Sequence, residues 1–353
     1  MVPGVATAAS SSRPAWSGPS ASIPAEWAWV VARDATTIRI YTPARGDTLN
    51  SAGTDNTVQR QALGRYLVTF PGLQLPTAPD GVSLATALAS DGRFCTLSEQ
   101  GNHQGASGMD VRIVVDCWTR SGAPADTRFS LTYLAHGDIQ PAVLAYLWAN
   151  EQSTTDYEPD PNYSFDSSGV GPNVIHRSAV GTYAVTLPGL GIAGGNVQLT
   201  ADAGVCRAVD QSKQAGAERV DVICRDTTGH LLDTTFDLVF GGSVGLIGVE
   251  ARTAAYVRAS RPGIPSYRVG PPWSFSSGGS HARVTRAGVG RYEVTLPDMP
   301  RGGAAEVTAL GSGRSVCELT SIRTLSKPQV IGVRCSRPLG RSVDSPFSLS
   351  YTK

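Results

Sequence analysis

Apolar and polar residues alternate along three widely spaced segments of the chain, and these segments share one sequence pattern. Each begins Gly-x-Tyr and continues through Val, Thr and an apolar residue to a proline, at residues 64–73, 181–190 and 290–299. Tyr, Val and Phe or Leu fall at every second position, which is the period of a β-strand with one buried face. The proline cannot donate a ladder hydrogen bond, so it ends the strand.

The shared pattern extends to both sides of these segments in a fixed order. An Arg lies four residues before each Gly, two Cys follow downstream, and an Asp in a turn precedes a final strand that begins with Phe. The matching residues are Arg60, Arg177 and Arg286; Cys95, Cys206 and Cys317; Cys117, Cys224 and Cys335; Asp126, Asp233 and Asp344; and Phe129, Phe236 and Phe347. From about residue 27 to its end, the chain is therefore three copies of one module.

The fold class follows from the number and spacing of these strands. Each copy has about seven or eight strand-like segments with frequent turn signals, which predicts an all-β chain of three tandem β-sandwich modules. Strands with one apolar face need a second sheet to cover them, although a small closed barrel is the alternative. We expect a flexible Ala/Ser/Pro-rich leader at 1–24 and modules at 25–134, 145–240 and 255–353. Because the connectors are short, we expect the modules to lie in a row with limited freedom.

The six cysteines fall two per copy and in register. The simplest pairing is one disulfide within each module, Cys95–Cys117, Cys206–Cys224 and Cys317–Cys335. No Cys-x-x-Cys spacing points to zinc or to a redox site. The alternative is buried free thiols in a cytosolic protein. Disulfides would place the chain in an oxidising compartment, so we expect an extracellular, secreted protein.

Charge and composition exclude two classes of partner. The 353 residues carry a formal net charge of +1, and no basic run suits a nucleic acid. No apolar run approaches the ~18 residues of a membrane span. The leader lacks the apolar core of an intact signal peptide, but residues 5–8 resemble the neighbourhood of a cleavage site. We expect a leader left after removal of an export signal; a disordered cytosolic tail is the alternative.

The repeated residues do not suggest catalysis. The shared Asp is expected to hydrogen-bond local backbone beside its turn, the shared Arg to pair with that Asp or lie over the sheet, and the Tyr and Phe to belong to the core. None of the five histidines recurs in all three copies, and no nucleophile elbow or phosphate-binding loop is present. We therefore predict a protein that is not an enzyme and needs no cofactor.

One acidic stretch outside the repeat could hold a cation. Asp156, Glu158 and Asp160 place carboxylates at alternate positions, and Ca²⁺ binds oxygen ligands. The stretch lacks the spacing of an EF-hand loop. The alternative, which we favour, is a solvated acidic loop without a metal.

Three tryptophans are the best candidates for ligand contacts. Trp118, Trp148 and Trp273 have no Trp at the matching positions of the other copies. Trp118 follows the inward-facing Cys117, so it should point outward, where it could stack on a sugar ring or a partner side chain. The alternative is that these residues pack at a sandwich edge or between modules.

The combination of the Gly-x-Tyr-x-Val-Thr-Leu-Pro-Gly-Leu strand, two Cys and a final Asp-x-x-Phe strand resembles a repeat of secreted bacterial proteins, many of them uncharacterised. The resemblance covers all three copies and implies export and a β-sandwich, but no activity. The third copy departs from the Pro-Gly-Leu ending with Pro297, Asp298 and Met299.

Three functions remain open at the level of sequence. The first is a secreted, non-catalytic binding or adhesion protein that recognises a carbohydrate or a cell-surface protein, with repetition adding avidity. The second is a structural spacer or self-assembling homo-oligomer that uses exposed strand edges. The third is an enzyme with an unrecognised site, which predicts a deep polar pocket containing a titratable group with a shifted pKa.

Overall fold

The computed structural model describes residues 26–74, 81–105, 108–135, 143–246, 253–323, 328–338 and 340–353. The expected leader at 1–24, residues 136–142 of the first connector and residues 247–252 of the second lie outside the described residues. Apart from a 3₁₀ turn at Pro161–Tyr163, every regular element in the described chain is a β-strand, which confirms the all-β prediction. No described helix has the length and apolar character needed to cross a membrane.

The strands divide among the three modules in chain order. Module 1 contains β1 (Glu26–Ala32), β2 (Thr48–Asn50), β3 (Thr57–Ala62), β4 (Arg65–Gln74), β5 (Val82–Leu88), β6 (Phe94–Gly105), β7 (Gly108–Trp118) and β8 (Arg128–Ala135). Module 2 contains β9 (Val143–Ala149), β10 (Asp156–Tyr157), β11 (Ser164–Asp166), β12 (Val174–Ala179), β13 (Thr182–Leu187), β14 (Asn196–Ala201), β15 (Val205–Gln214), β16 (Ala217–Arg225) and β17 (Phe236–Gly242). Module 3 contains β18 (Ala254–Ala259), β19 (Ser266–Arg268), β20 (Ser274–Ser276), β21 (Arg283–Gly288), β22 (Arg291–Leu296), β23 (Ala304–Ala309), β24 (Val316–Ile322), β25 (Gln329–Ser336) and β26 (Phe347–Thr352).

Each module is a sandwich of two antiparallel sheets, which confirms the sandwich over the barrel. The inner sheets, named for their position in the molecule, have the orders β5-β8-β1-β2, β14-β17-β9-β11 and β23-β26-β18-β20. The outer sheets have the orders β3-β4-β7-β6, β10-β12-β13-β16-β15 and β19-β21-β22-β25-β24. Between the sheets, the repeated Tyr packs on the Phe of the final strand, with ring centroids 5.1 to 5.4 Å apart in the pairs Tyr66–Phe129, Tyr183–Phe236 and Tyr292–Phe347.

The three expected disulfides are confirmed. Each joins directly opposed residues of two neighbouring outer-sheet strands, with Cα atoms 4.0 or 4.1 Å apart, in the pairs Cys95–Cys117, Cys206–Cys224 and Cys317–Cys335. No free cysteine remains. Each bond therefore fixes the register of one strand pair at the same point of each module.

The shared Arg and Asp form an ion pair in every module, as one of the two sequence interpretations predicted. In module 2, Asp233 accepts hydrogen bonds from the guanidinium of Arg177 (2.6 Å), the backbone N–H of Gly181 (2.7 Å) and the hydroxyl of Tyr183 (3.2 Å). Arg177 and these hydrogen bonds lower the pKa of Asp233 to about 2. The same three contacts recur around Asp126 and Asp344. This corner ties the turn before the last strand to the Gly-x-Tyr strand.

The modules do not lie in a row; they close a ring with approximate threefold symmetry. A threonine at one matching position of each inner edge strand accepts a backbone hydrogen bond from the neighbouring module. Ala85 N donates to Thr200 Oγ1 (2.9 Å), Leu199 N to Thr308 Oγ1 (2.9 Å) and Val307 N to Thr86 Oγ1 (3.2 Å). The bonds run from module 1 to 2, from 2 to 3 and from 3 back to 1. The expectation of a row is wrong because β5, β14 and β23 are buried on both faces, so their second faces need partners.

At two of the three junctions, one parallel residue pair links the outer sheet of one module to the inner sheet of its neighbour. Leu319 of β24 pairs in parallel with Leu88 of β5, so module 3's outer sheet and module 1's inner sheet form one nine-stranded sheet. The matching pair at the junction of modules 2 and 3 is Ala208 with Leu310. At the remaining junction, the matching residues are Leu97 and Asp202. Among the described strands, no such pairing joins modules 1 and 2 there.

Candidate binding cleft

A cleft of about 590 Å³ opens at the junction of modules 1 and 2. One wall is the outward face of module 1's outer sheet, and the other consists of module 2 residues on and after β9, β14 and β17. The lining residues are Gln61, Arg65, Leu67, Leu97, Ser98, Glu99, Gln100, Gly101, His103, Arg112, Val114, Trp148, Tyr163, Asp202 and Asp237. Its position coincides with the missing strand pairing, because a carboxyl group at Asp202 stands where the other junctions have Leu88 and Leu310.

Two aromatic rings form the module 2 wall. Trp148 lies on β9, and Tyr163 ends the 3₁₀ turn before β11; their centroids are 5.2 Å apart in an edge-on arrangement. The Trp148 indole N–H donates to Asp202 Oδ2 (3.2 Å), which fixes the ring. Both side chains are half-buried. A ring with one supported edge and a partly open face suits stacking on an apolar or sugar surface.

Charged side chains of module 1 form the opposite wall. Arg65 bridges Glu99 (2.9 Å) and Asp116 (3.1 Å), so its charge is balanced within the sheet. Arg112 forms no ion pair within the described chain, and its buried Nε lacks a hydrogen-bond partner there. A donor without an acceptor at a cleft wall is costly. Arg112 is only half-buried, so the other nitrogens of its guanidinium could donate to an oxygen-bearing ligand in the cleft.

Two carboxyl groups of the cleft have raised pKa values. Burial raises the pKa of Asp202, partly offset by hydrogen bonds from Thr235 and Trp148. Burial also raises the pKa of Asp237 well above its usual range, with a contribution from the neighbouring Asp202. Asp237 Oδ2 accepts a hydrogen bond from Ser83 N (3.2 Å). Asp237 thus joins module 2 to module 1 at the base of the cleft.

The matching surfaces of the other two junctions are filled by side chains. The strand register places Arg258 of module 3 at the position of Trp148. Its guanidinium lies 4.4 Å from the ring centroid of Trp273 and reaches Gln211 of module 2 (3.5 Å). In module 1 the matching residue is Val31, which is buried with Leu88 in the hydrophobic core of module 3. A cation–π pair thus closes one junction and an apolar contact closes another, whereas the first junction stays open.

The three candidate tryptophans do not converge. Trp148 lines the cleft. Trp273 lies beneath Arg258 at the junction of modules 2 and 3. Trp118 ends β7 and is half-buried, with its indole N–H donating to Thr96 Oγ1 (3.1 Å). Trp148 is therefore the one candidate that the structure places among other potential ligand contacts.

Two of the candidate calcium ligands have partners within the protein. Asp156 pairs with His176 Nδ1 (2.6 Å), and Asp160 accepts from Asn162 N (2.9 Å) to cap the 3₁₀ turn that carries Tyr163. Glu158 does not join them in a ligand group: among the described residues, no three His, Cys, Asp or Glu side chains are placed to hold a metal ion. The acidic stretch instead shapes the loop beside the cleft.

Sequence reasoning identified Trp148 because its aromatic side chain is not repeated. It missed Arg112, Asp202 and Asp237, which lie in or directly after strands and look like ordinary polar positions of a module. The sequence does contain one signal for this site. When the copies are aligned, Asp202 of module 2 occupies the position of Leu88 in module 1 and of Leu310 in module 3. That difference becomes informative only when the strand register and the ring are known.

Comparison of the chain with protein-family models, with curated proteins and with solved structures finds no match. The geometry of the cleft is therefore the basis for assigning a function.

Proposed function

We propose that this protein is an exported binding protein that takes a segment of a saccharide chain into the cleft between modules 1 and 2. The observation that carries the proposal is the half-buried Trp148–Tyr163 pair facing a wall of polar and charged side chains across an open cleft. Saccharides offer both an apolar ring face for stacking and many hydroxyls for hydrogen bonds. Three disulfides support export.

The ring favours this proposal over a filament-forming spacer. Inner and outer edge strands of neighbouring modules meet at two junctions within one chain. Strand edges used in this way are not available to extend an assembly. Light scattering of the purified protein tests this point: we expect a discrete particle, and concentration-dependent growth would favour the spacer.

Binding is tested with a glycan panel and with insoluble polysaccharides such as cellulose, chitin and peptidoglycan. Wild-type protein is compared with Trp148→Ala and with Trp118→Ala as the matched control, because Trp118 is also half-buried and hydrogen-bonded but lies outside the cleft. Loss of a central aromatic contact should weaken binding at least about tenfold. Binding to no member of the panel, or equal loss in both variants, would overturn the proposal.

Glycoside hydrolysis is a second candidate, favoured by the neighbouring carboxyl groups of Asp202 and Asp237. Glycosidases use two carboxyl groups, one of them kept protonated by a raised pKa. Against it, Asp202 already accepts hydrogen bonds from Trp148 and Thr235, and Asp237 accepts one from module 1. Assay of any bound glycan for released reducing ends separates the two functions: turnover lost in Asp237→Asn, with binding retained, would establish the enzyme.

A further inference from the structure

A second pocket lies at the threefold axis, away from the cleft. It is lined by the residue that precedes the first disulfide cysteine in each module, namely Phe94, Val205 and Val316. Because all three modules contribute matching residues, this pocket exists only in the closed ring. The space open to the centre of a water-sized group is about 30 Å³, which leaves room for a small polar group.

Arginines dominate the lining of this axial pocket. Module 1 contributes Arg120, module 2 contributes Arg207 and Arg225, and module 3 contributes Arg314 and Arg337. Such a concentration of positive charge is unfavourable unless anions balance it. Burial, with repulsion from Arg225, lowers the pKa of Arg207 to about 10. Burial also lowers the pKa of Arg225, with repulsion from Arg314.

Nearby carboxylates form their hydrogen bonds with other groups, and Glu318 and Asp91 act on Arg120 only through their charge. Asp226, the one acid among the described lining residues, accepts hydrogen bonds from the backbone N–H groups of Thr228 and His230 (both 2.9 Å). Glu318 accepts from Gly92 N (2.7 Å) and from Arg334 (3.2 Å). Asp91 pairs with Arg93. None of the five lining arginines has an ion pair within the described chain.

Several guanidinium donors of the axial pocket lack acceptors. Arg207 is only 3% exposed; its Nη1 donates to Ser315 Oγ (3.0 Å) and its Nη2 to Leu310 O, but its Nε has no partner among the described residues. The same holds for the buried Nε of Arg225 and Nη1 of Arg120. The neutral contacts of Arg207 join module 2 to module 3, yet they leave its charge uncompensated.

We propose that the axial pocket binds one oxyanion, a sulfate or phosphate group, held by Arg120, Arg207 and Arg225. The group could be a free inorganic ion or the terminal group of a sulfated or phosphorylated sugar, since the exposed Arg314 and Arg337 form the rim. Guanidinium groups match the oxygen geometry of such anions. Because its ligands come from different modules, the anion would also hold the ring closed.

The test is thermal unfolding and titration calorimetry of the full chain with sodium sulfate and sodium phosphate, against sodium chloride at equal ionic strength. We expect a saturable rise in melting temperature with the oxyanions. The variants Arg225→Gln and Arg120→Gln should bind at least about tenfold more weakly, because each loses a charge-assisted hydrogen bond. The matched control is Arg283→Gln, an exposed arginine of β21 remote from the pocket.

General salting-out by sulfate raises stability without saturation and equally in all variants. That pattern, or equal binding by wild type and both pocket variants, would overturn the proposal. Glucosamine 6-sulfate distinguishes the sources of the anion. Competition with inorganic sulfate supports a site for sulfated sugars, whereas saturable sulfate binding without competition supports a resident inorganic ion.

Discussion

At the residue scale, a glycine and its neighbours explain why the Gly-x-Tyr pattern is repeated. Gly181 has φ of +60°, and a Cβ atom there would lie 2.6 Å from the carbonyl oxygen of Cys224. That carbonyl belongs to the disulfide strand, and Cys224 N in turn donates to Gly181 O (2.9 Å). The glycine thus allows two backbones to meet where Asp233 receives its hydrogen bonds. The sequence predicted the Arg–Asp pair as one of two interpretations. The close approach of the two backbones was not predictable, because in the sequence it appears only as a glycine.

Gly181→Ala should destabilise the fold by about 3 kcal/mol or more, because a left-handed backbone cost of about 1–2 kcal/mol adds to the clash. Gly169→Ala is the matched control: its φ is +63°, but nothing lies within 4 Å of the added Cβ. Its free energy of unfolding should fall only by the left-handed backbone cost of about 1–2 kcal/mol. Urea unfolding of both variants measures the difference, and equal losses would contradict the proposed close approach.

At the scale of strands, the period-two pattern predicted the outer sheets best. β16 alternates between buried and half-buried residues throughout, as its sequence suggests. The inner edge strands β14 and β23 are wholly buried although they contain polar residues such as Gln198 and Glu306. Their polar side chains face other modules and not solvent. A sequence pattern cannot distinguish these two environments, so the ring was not predicted.

The disulfides should stabilise each strand pair independently. Replacing Cys206 and Cys224 together by alanine removes a cross-link between residues 18 apart in sequence. This should lower the free energy of unfolding by about 3 kcal/mol in the chain-entropy model. The equivalent double variant at Cys317 and Cys335, which has the same separation, is the comparison. We expect similar decreases in the free energy of unfolding. A decrease below about 1 kcal/mol in both would show that the cross-links add little.

At the scale of the whole molecule, the ring explains both candidate sites. The cleft is the junction where Asp202 replaces the leucine that pairs across each of the other two junctions, and the axial pocket is where the three modules meet. The fold of each module and its disulfide followed from sequence. The sites did not, because they are built from residues of different modules whose proximity depends on ring closure.

Ring closure should make stability depend on pH through Glu306. This side chain accepts a hydrogen bond from Thr132 of module 1 (3.0 Å), and burial raises its pKa from 4.5 to about 8. The folded state therefore holds a proton that the unfolded chain releases, so stability should fall as pH rises from about 4.5 to 8. Glu306→Gln should reduce the slope of the free energy of unfolding against pH by up to about 1.4 kcal/mol per pH unit.

Urea unfolding at several pH values measures the effect in both proteins. Other buried carboxyl groups with raised pKa values, such as Glu218 and Glu318, remain in the variant and keep part of the slope. An unchanged slope in Glu306→Gln would mean that this carboxyl group is not buried between modules in solution.

Small-angle X-ray scattering of the full chain tests the closed ring most directly. A compact chain of this length should have a radius of gyration of about 20 Å, and the scattering curve should agree with three modules around a common axis. A clearly larger radius, with a maximum dimension near three module lengths, would contradict the ring and with it both proposed sites.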